Sequence, residues 1–455
     1  MRVWRLLWYS DPYITFSEVR VRMRRSPRNL RIACNHAGLT YFGGAYFFHE
    51  FLRVLQLRHF LARHVPYARR NHRYSVSQMI LALVYPIILG LDRIETASFL
   101  RSNGTFQYLT GLPGFPDPQT LRRFLRNAPA HIGEQVHHAN DRLLQRFIHL
   151  PERRSRLIFD LDSTVVTLFG NQDGAEVGYN PKYRGKRSYN PLLCMEANSS
   201  FLWDAGLRPG NASTWEGSPA LLEASFATVP PEIRELRFRA DAGFGYDPVL
   251  TTLETHRVDY AVVARLTGPV KRLLPGLAYE PANARWECAE GEFRAQGWPG
   301  ARRIAVARRL IEKDDPQPTL FAMGRYLYRV WITNLALTPA GVWRFYDGRA
   351  AIEPRIHELR EDFALRKIPT ASFEANALYL EVIRLAYNLV TAFQRICLPQ
   401  SWQSYTLQKL RFKLFLLPGE LTRPQNYPTL RLKDSPVIQR LADDILSRIA
   451  QLDSL

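Results

Sequence analysis

The segment RLIFDLDSTVV, residues 156–166, decides the fold of this chain. Its apolar and β-branched residues predict a β-strand, yet Asp160 and Asp162 interrupt the pattern. A carboxylate in a buried strand is costly unless it is paired or holds a cation. The two acids have the same parity in the strand, so alternation alone does not choose between them. The segment therefore predicts a buried strand that carries a functional acid.

Two further acids stand in comparable contexts. Asp241 closes the strand-like segment LRFRADAGF, residues 236–244, and Glu353 lies in the helically spaced segment FYDGRAAIEPRIHELRED, residues 345–362. Pro354 either kinks this helix or lets it restart with Glu353 in its first turn. Taken singly, each acid is explained more simply as a carboxylate at a strand end or on a helix surface than as a functional residue. Three acids that converge on one point, however, suit two Mg²⁺ ions and in-line displacement at a phosphodiester.

The sequence motifs around these acids form a longer pattern. Tyr346, Arg349, Glu353 and Arg360 keep the spacing Y-x2-R-x3-E-x6-K, with Arg360 in place of the final Lys. The segments DLDSTVVTLFG, GYNPKYRGKRSYNPLL, RADAGF and FYDGRAAIEPRIHELREDFAL follow one another in this order. With these motifs the sequence resembles the DDE transposases of bacterial insertion sequences that carry a YREK signature. It is most similar to the insertion-sequence thirteen-eighty family, from about Gly43 to the C-terminus. Arg360 keeps the charge of lysine but presents it as a planar fork.

The resemblance implies a DNA transposase. Such an enzyme cleaves the ends of its insertion sequence and joins them to target DNA by metal-dependent phosphodiester hydrolysis and transesterification. The resemblance makes Asp162, Asp241 and Glu353 the catalytic residues and the metal ligands, with Asp160 as a supporting acid. The implied cofactor is a pair of Mg²⁺ ions, for which Mn²⁺ can substitute. The implied partners are double-stranded DNA, as terminal inverted repeats and as target, and a second copy of the chain in a homodimeric synaptic complex.

The other residues of the signature also receive roles from the resemblance. Arg349 and Arg360 are expected to bind phosphates near the cleavage point, and Tyr346 is expected to position the strand. Two alternative functions keep the same fold: a domesticated DNA-binding protein, and a ribonuclease-H-like nuclease without strand transfer. An intact triad argues against the first alternative.

The order of predicted elements gives the fold class. From about Arg156 the patterns indicate three strands, a helix, a strand, a helix and a strand, which is the order of a ribonuclease-H-like core. This order places Asp162 in the first strand and Asp241 at the end of the fourth, next to each other in the sheet. The predicted class is α/β, a ribonuclease-H-like catalytic core with a β-rich insertion, preceded by a helical DNA-binding domain.

Hydrophobic periodicity and the positions of turn-forming residues divide the chain into six predicted regions. They are a basic N-terminal arm (1–42), a helical DNA-binding domain (43–150), the first part of the catalytic core (151–256), the β-rich insertion (257–326), the last strand and Glu-bearing helix of the core (327–371), and a C-terminal helical and hairpin region (372–455). In the last region, LQKLRFKLFLL (407–417) and TLRLKD (429–434) are predicted strands, followed by an amphipathic helix.

The insertion contains two candidate DNA-contacting tryptophans. Trp298 lies in a Gly-Trp-Pro-Gly turn beside Arg302 and Arg303, which predicts a solvent-facing tip. The resemblance to related transposases implies that such an aromatic receives a base turned out of the duplex near the cut. Trp286 is the second candidate, and packing inside the insertion's own small core is the more economical explanation for it.

Charge points to a polyanionic partner. The chain has a net charge of +19 and a pI near 10.0. Residues 1–150 hold 21 Arg, no Lys and eight acids, a net +13. Coding bias explains the choice of Arg over Lys but not the shortage of acids. This part of the excess charge therefore predicts a surface that lies along phosphates.

Two groups of cations are candidate DNA contacts. In the helix PQTLRRFLRNA (118–128), which Asp117 and Pro118 begin, Arg122, Arg123 and Arg126 project away from the apolar side. The helix suits a helix-turn-helix, and a plain core helix with a solvated face is the alternative. The second group follows the predicted first strand and is either a phosphate-gripping loop or a solvated one. Its members are Lys182, Arg184, Lys186 and Arg187.

Nothing in the sequence predicts a membrane span or a disulfide framework. The longest apolar run, residues 79–91, is interrupted by Pro86 and is too short to cross a bilayer. The four cysteines are scattered without metal-binding spacing, which favours free thiols in a reducing compartment. The expected location is therefore the bacterial cytoplasm, in association with the nucleoid.

Overall fold

The computed structural model describes residues 34, 36–67, 73–112, 114–150, 152–312 and 322–452. Residues 1–33 and 35 of the predicted basic arm, residues 1–42, lie outside the described residues. The chain forms two compact units. One contains Leu125–Asn388, and the other combines the described parts of Met1–Phe124 and Leu389–Leu455.

A ten-stranded mixed sheet forms the centre of the unit Leu125–Asn388, counted over the described residues. Its strands are β1 (Arg156–Ser163), β2 (Leu192–Glu196), β3 (Leu202–Gly206), β4 (Glu235–Ala240), β5 (Asp259–Val263), β6 (Glu280–Pro281), β7 (Glu287–Phe293), β8 (Arg302–Leu310), β9 (Ala322–Met323) and β10 (Tyr326–Thr333). Their order in space is β6-β7-β8-β10-β5-β4-β1-β2-β3, and β9 pairs with β10.

The first five strands lie side by side in the order 3-2-1-4-5. Strand β1 runs parallel to β4, and β4 runs parallel to β5, whereas β1 is antiparallel to β2. The predicted sequence of three strands, helix, strand, helix and strand is confirmed by these elements. Asp162 lies in β1, and Asp241 directly follows β4, as expected.

Seven α-helices accompany this sheet in the described chain. They are α1 (Ala130–Phe147), α2 (Ser218–Ala227), α3 (Asp247–Thr255), α4 (Gly268–Leu273), α5 (Pro339–Asp347), α6 (Ile352–Glu361) and α7 (Phe373–Cys397), whose last residues extend beyond Asn388. Aromatic contacts attach α2 to the sheet, because Phe226 packs on Phe159 of β1 at 5.9 Å between ring centroids. The indole of Trp203 in β3 donates to the carbonyl of Ser225 in α2 at 3.0 Å.

The helix that carries Glu353 is not kinked by Pro354 but begins just before it. Helix α5 ends at Asp347, a 3₁₀ turn covers Gly348–Ala351, and α6 begins at Ile352. Glu353 and Pro354 therefore both lie in the first turn of α6, where a proline removes no helical hydrogen bond. The helix restarts at this point, which was one of the two possibilities left open by the sequence.

Strands from the predicted insertion, residues 257–326, extend the same sheet. Strand β10, the predicted last strand of the core, pairs with β5, and β8 and β7 follow on its other side. Trp298 is only 7% exposed, packs on Phe293 with ring centroids 5.8 Å apart, and lies under the guanidinium of Arg302. The prediction of a solvent-facing Trp298 is wrong, because its turn folds back onto these two side chains. Trp286 is the half-exposed tryptophan of the pair.

A smaller three-stranded sheet lies in the connection between β1 and β2. Its strands are Val166–Thr167, Arg187–Tyr189 in the middle, and Glu176–Val177. The segment GYNPKYRGKRSYNPLL thus supplies the central strand and the loop before it.

The other unit is mainly helical. Its α-helices are Ala45–Val54, Leu57–His64, Val76–Leu89, Ser98–Arg101, Gly104–Leu109, Leu407–Leu410 and Pro436–Leu452, and helix Pro118–Asn127 begins in it. Its strands, Leu39–Thr40, Gly419–Thr422 and Thr429–Arg431, form one small antiparallel sheet. Every residue of Val76–Leu89 is buried, and a capping box of Ser75 and Gln78 begins this helix. None of the described helices is long and apolar enough to span a membrane.

Helix Pro118–Asn127 follows its predicted pattern. Asp117 accepts a hydrogen bond from the amide of Gln119 at 2.9 Å, and the apolar side chains of the helix are buried. The preceding helix ends at Leu109, so the connection has eight residues. A helix-turn-helix has a turn of about three to four residues. The geometry therefore favours the alternative, a core helix with a solvated face.

One predicted strand of the C-terminal region is wrong. LQKLRFKLFLL forms the short helix Leu407–Leu410 and a π-helical turn, Arg411–Phe415. Leu407, Leu410, Leu414 and Phe415 are buried, which is a helical spacing rather than a strand alternation.

The packing of the insertion gives the first prediction. Trp298→Ala should lower the free energy of unfolding by about 3–5 kcal/mol, because it empties a buried site against Phe293 and Arg302. Trp286→Ala, the matched change at a half-exposed site, should cost less. Denaturant unfolding of the two variants measures the difference, and an equal or larger loss for Trp286→Ala would contradict the packing described here.

Candidate active site

The register of β1 and β4 brings two acids together. The last parallel pair is Leu161 with Ala240, and the next residues along the two strands are Asp162 and Asp241. The Asp241 carboxylate also accepts a hydrogen bond from the amide of Gly243 at 2.8 Å, which starts a 3₁₀ turn and fixes its direction. Both carboxylates therefore leave the sheet at the same end.

Asp162 is held by a buried arginine. Nη2 of Arg349 lies 2.9 Å from Oδ2 of Asp162, and the amide of Ser163 donates to Oδ1 at 2.8 Å. Burial raises the pKa of the Asp162 carboxyl to about 6, an effect that Arg349 opposes and the neighbouring Asp241 carboxylate increases. The two aspartates are thus close enough to repel each other in their charged forms.

Asp160 is a structural acid. Its two oxygens receive Nε and Nη2 of Arg239 at 2.7 and 2.8 Å, and it is only 1% exposed. Nη1 of the same arginine donates to the carbonyl of Phe345 at 2.9 Å, which connects β4 to α5. Both acids therefore have partners on both oxygens, but the Asp160 side chain is only 2% exposed, whereas that of Asp162 is 20% exposed.

Tyr346 lies beside the same group. Burial raises the pKa of its hydroxyl to about 12, with Arg349 lowering it and the charges of Asp241 and Asp162 raising it. Its ring packs on Trp331 of β10 at 5.8 Å. The structure thus brings Asp162, Asp241, Tyr346 and Arg349 to one place.

The remaining residues of the signature are on α6. Glu353 is exposed in its first turn, four residues after Arg349. Arg360 is half-buried near the end of α6. Because it follows Glu353 by seven residues, about two helical turns, the two residues lie on nearly the same face of the helix. Burial and the charge of Arg366 lower the pKa of Arg360.

The predicted DNA-contacting cations divide into exposed and paired ones. Lys182, Arg184, Lys186 and Arg187 are all exposed. On helix Pro118–Asn127, Arg123 and Arg126 are exposed, whereas Arg122 forms an ion pair with Glu95.

The sequence analysis missed two features of this site. One is Arg239, which alternation with Leu236, Phe238 and Ala240 assigns to the polar side of β4, although the structure buries it. The other is a cluster next to Asp241 in which Trp215 packs on Tyr246 at 5.5 Å and Arg265 lies 4.7 Å over the Tyr246 ring. Arg265 also donates to the carbonyl of Ala242 at 3.1 Å, one residue after the aspartate. No sequence signal joins these three distant residues.

Comparison with known proteins identifies the family. The family model described as Transposase DDE domain group 1 matches residues 24–454. The chain belongs to the DDE transposases. No curated protein matches the sequence. Among solved structures, the transposase is similar to a cryo-EM structure of the piggyBac transposase synaptic complex with hairpin DNA, at 10% identity over 91% of this chain and 81% of that chain, with a TM-score of 0.43.

A second group of polar residues in the transposase has metal-ligating types. Ligand atoms of His137, Asp204 and Glu381 lie within 4.8 Å of one another. Arg384 lies between the acids, with its guanidinium 2.7 Å from Asp141, 3.4 Å from Glu381 and 3.9 Å from Asp204. Burial alone would lower the pKa of His137, but its hydrogen bond to Glu381 and the charge of that acid raise the pKa to about 9. Two internal cations, Arg384 and His137, thus already pair with these three acids, and the group is a buried ionic network joining α1, β3 and α7.

The raised pKa of Asp162 gives a prediction about stability and pH. The folded protein binds a proton at Asp162 more tightly than the unfolded chain does, so its stability should fall as pH rises from about 4 to about 6 and level off above. Between these limits the wild type should lose up to about 3 kcal/mol relative to Asp162→Asn, which does not titrate there. Unfolding in EDTA as a function of pH measures this difference, and parallel curves for the two proteins would contradict the pKa.

Proposed function

We propose that this transposase cleaves the ends of an insertion sequence and joins them to target DNA, with Asp162, Asp241 and Glu353 as its catalytic, metal-binding acids. The observation that carries the proposal is the emergence of Asp162 and Asp241 from adjacent parallel strands beside Arg349 and Tyr346. Glu353 stands on the helix turn that follows Arg349. The group beside the two strand-end acids includes Tyr346 and Arg349, two of the four residues of the YREK-like signature.

The catalytic core that we propose is ribonuclease-H-like. The 3-2-1-4-5 strand order, with only the second strand antiparallel among its first five, supports this assignment. We also assign the chain to the insertion-sequence thirteen-eighty family, on the four ordered motifs. Strands β6 to β9, which fall within residues 257–326, then correspond to the insertion, and β10 corresponds to the last strand of the core.

The donor set fits two Mg²⁺ ions. Asp162 and Asp241 offer only carboxylate oxygens, the ligands that hard cations prefer, and their mutual repulsion is what a cation would relieve. When bound, such ions supply Lewis acidity and a lowered pKa for the attacking water or 3′-hydroxyl. Mn²⁺, which accepts the same ligands, would substitute.

The chain's own residues would position the DNA. Nε of Arg349 and Nε of Arg360 are buried and have no hydrogen-bond partner in the part of the chain that the structure describes. Each arginine therefore keeps a donor for a phosphate oxygen. Tyr346, whose hydroxyl stays protonated at neutral pH, can donate to the strand.

The partners that we propose are double-stranded DNA, as terminal inverted repeats and target, and a second copy of the chain in the synaptic complex. The net charge of +19 and the exposed cations at Lys182, Arg184, Lys186 and Arg187 support the DNA contact. Such a protein would act in the bacterial cytoplasm at the nucleoid.

Replacement of the acids tests the reaction. Asp162→Ala, Asp241→Ala and Glu353→Ala should each reduce Mg²⁺-dependent cleavage of end-bearing DNA below detection, while DNA binding stays near normal. Asp347→Ala, which removes an exposed acid from the same segment, is the matched control and should cleave normally. Gel-based cleavage with labelled ends measures both, and normal cleavage by Asp162→Ala would remove the assignment.

The helix Pro118–Asn127 offers a separate test of phosphate binding. Arg123→Gln with Arg126→Gln should weaken binding to the terminal repeat and reduce the slope of log affinity against log salt by about 0.9 for each phosphate that is no longer neutralised. Arg122→Gln should have a smaller effect, because Glu95 already pairs with that guanidinium. Titrations at several salt concentrations measure the slopes, and an unchanged slope in the double variant would exclude phosphate binding by these two arginines.

A further inference from the structure

The small sheet after β1 exposes large apolar side chains. Phe169 is 78% exposed, Tyr179 82% and Tyr183 41%. Single exposed aromatics are ordinary on a protein surface, but the rings of Phe169 and Tyr183 are in contact and Tyr179 lies four residues before Tyr183, which marks an interaction surface. We call this patch, together with the cations Lys182, Arg184, Lys186 and Arg187, the aromatic–basic face.

The backbone that carries the face is fixed. The buried Asn180 donates to Oγ1 of Thr167 at 2.9 Å and accepts from the amide of Tyr183 at 3.0 Å. Gly178 lies so close to Gly210 that a Cβ on it would stand 1.9 Å from the Gly210 carbonyl oxygen. The rings are therefore presented from a defined scaffold rather than from a loose loop.

Charge and ring geometry select the partner. Residues 178–190 contain four cations and no acid, which favours a polyanion. The rings of Phe169 and Tyr183 meet edge to face, with centroids 5.9 Å apart, and Lys182 lies 5.4 Å over the Tyr183 ring. Exposed ring faces alternating with cations suit a nucleic-acid strand whose bases are unstacked, because bases stack on the rings while cations hold phosphates. A base-paired duplex keeps its bases away from such rings.

The face lies near the cleavage site along the chain. The first strand of the small sheet begins at Val166, four residues after Asp162, so their Cα atoms are at most about 14 Å apart. We propose that the aromatic–basic face binds an unpaired DNA strand beside the cleavage site, with Phe169, Tyr179 and Tyr183 stacking on its bases. This inference rests on the proposed function, since cleavage at Asp162 is what would release such a strand.

Binding of a fluorescein-labelled single-stranded oligonucleotide to the full chain in EDTA tests the inference without any cleavage. Phe169→Leu, Tyr179→Leu and Tyr183→Leu keep apolar volume but remove the ring. Each should weaken binding by about ten-fold, with little change in affinity for an intact duplex and no change in the salt slope. Conservative changes, Tyr179→Phe and Tyr183→Phe, should restore binding.

Two controls separate stacking from other interactions. Phe412→Leu and Tyr427→Leu remove the rings of residues that are 81% and 74% exposed elsewhere in the chain, and should leave the affinity unchanged. Lys182→Gln with Lys186→Gln should instead reduce the salt slope by about 0.7 for each phosphate that the lysines no longer neutralise. Melting temperatures of all variants establish that they fold.

The outcomes are distinct. Wild-type affinity in the three Leu variants, or equal losses on single strand and duplex, would overturn the inference. If the wild type fails to cleave while the Leu variants still lose single-strand binding, the proposed function is removed, and of the inference only the binding of an unpaired strand by this face remains.

Discussion

The structure depends on the register of β1 against β4. A bidentate ion pair between Asp160 and Arg239, buried in that parallel ladder, holds the register because neither charge can remain buried without the other. A slip of one residue would turn every side chain of a strand to the opposite face. With the register fixed, the next two residues of the paired strands are Asp162 and Asp241. The same arginine also bonds to the end of α5, so one guanidinium relates the sheet to the segment carrying Arg349 and Glu353.

The electrostatics of the site follow from this arrangement. Two neighbouring carboxylates in a partly buried position need a counter-charge, and Arg349 supplies it through its ion pair with Asp162. A cation held by that acid would relieve the need for the guanidinium, whose donors would then be available to a phosphate. The pairing of Arg349 with Asp162 is therefore compatible with its proposed role on DNA.

Local patterns predicted much of this fold and part of the site. The five strands, the two aspartates at adjacent strand ends and the N-cap of helix Pro118–Asn127 follow from alternation and capping signals, which act over a few residues. Trp298 was misjudged because Gly and Pro indicate a turn but not the side on which it folds. The run 407–417 reads as a strand because its cations alternate with apolar residues, yet burial follows a helical spacing. Arg239 and the Trp215–Tyr246–Arg265 cluster depend on contacts between distant segments, which no local pattern contains. The ion pair between Arg349 and Asp162 also joins segments that are distant in sequence. Local patterns therefore did not predict it, although each residue was predicted to belong to the site.

The mainly helical unit is discontinuous in sequence, because it needs the described parts of both Met1–Phe124 and Leu389–Leu455. During synthesis, the unit Leu125–Asn388 can form its sheet as soon as its own continuous stretch has left the ribosome. The helix Val76–Leu89 takes part of its packing from residues far along the chain, because the Arg411 side chain donates to the carbonyls of Ile88 and Ile87. Since domains generally fold as units, we expect this helix to be incompletely packed in a nascent chain until residues 389–452 have been made.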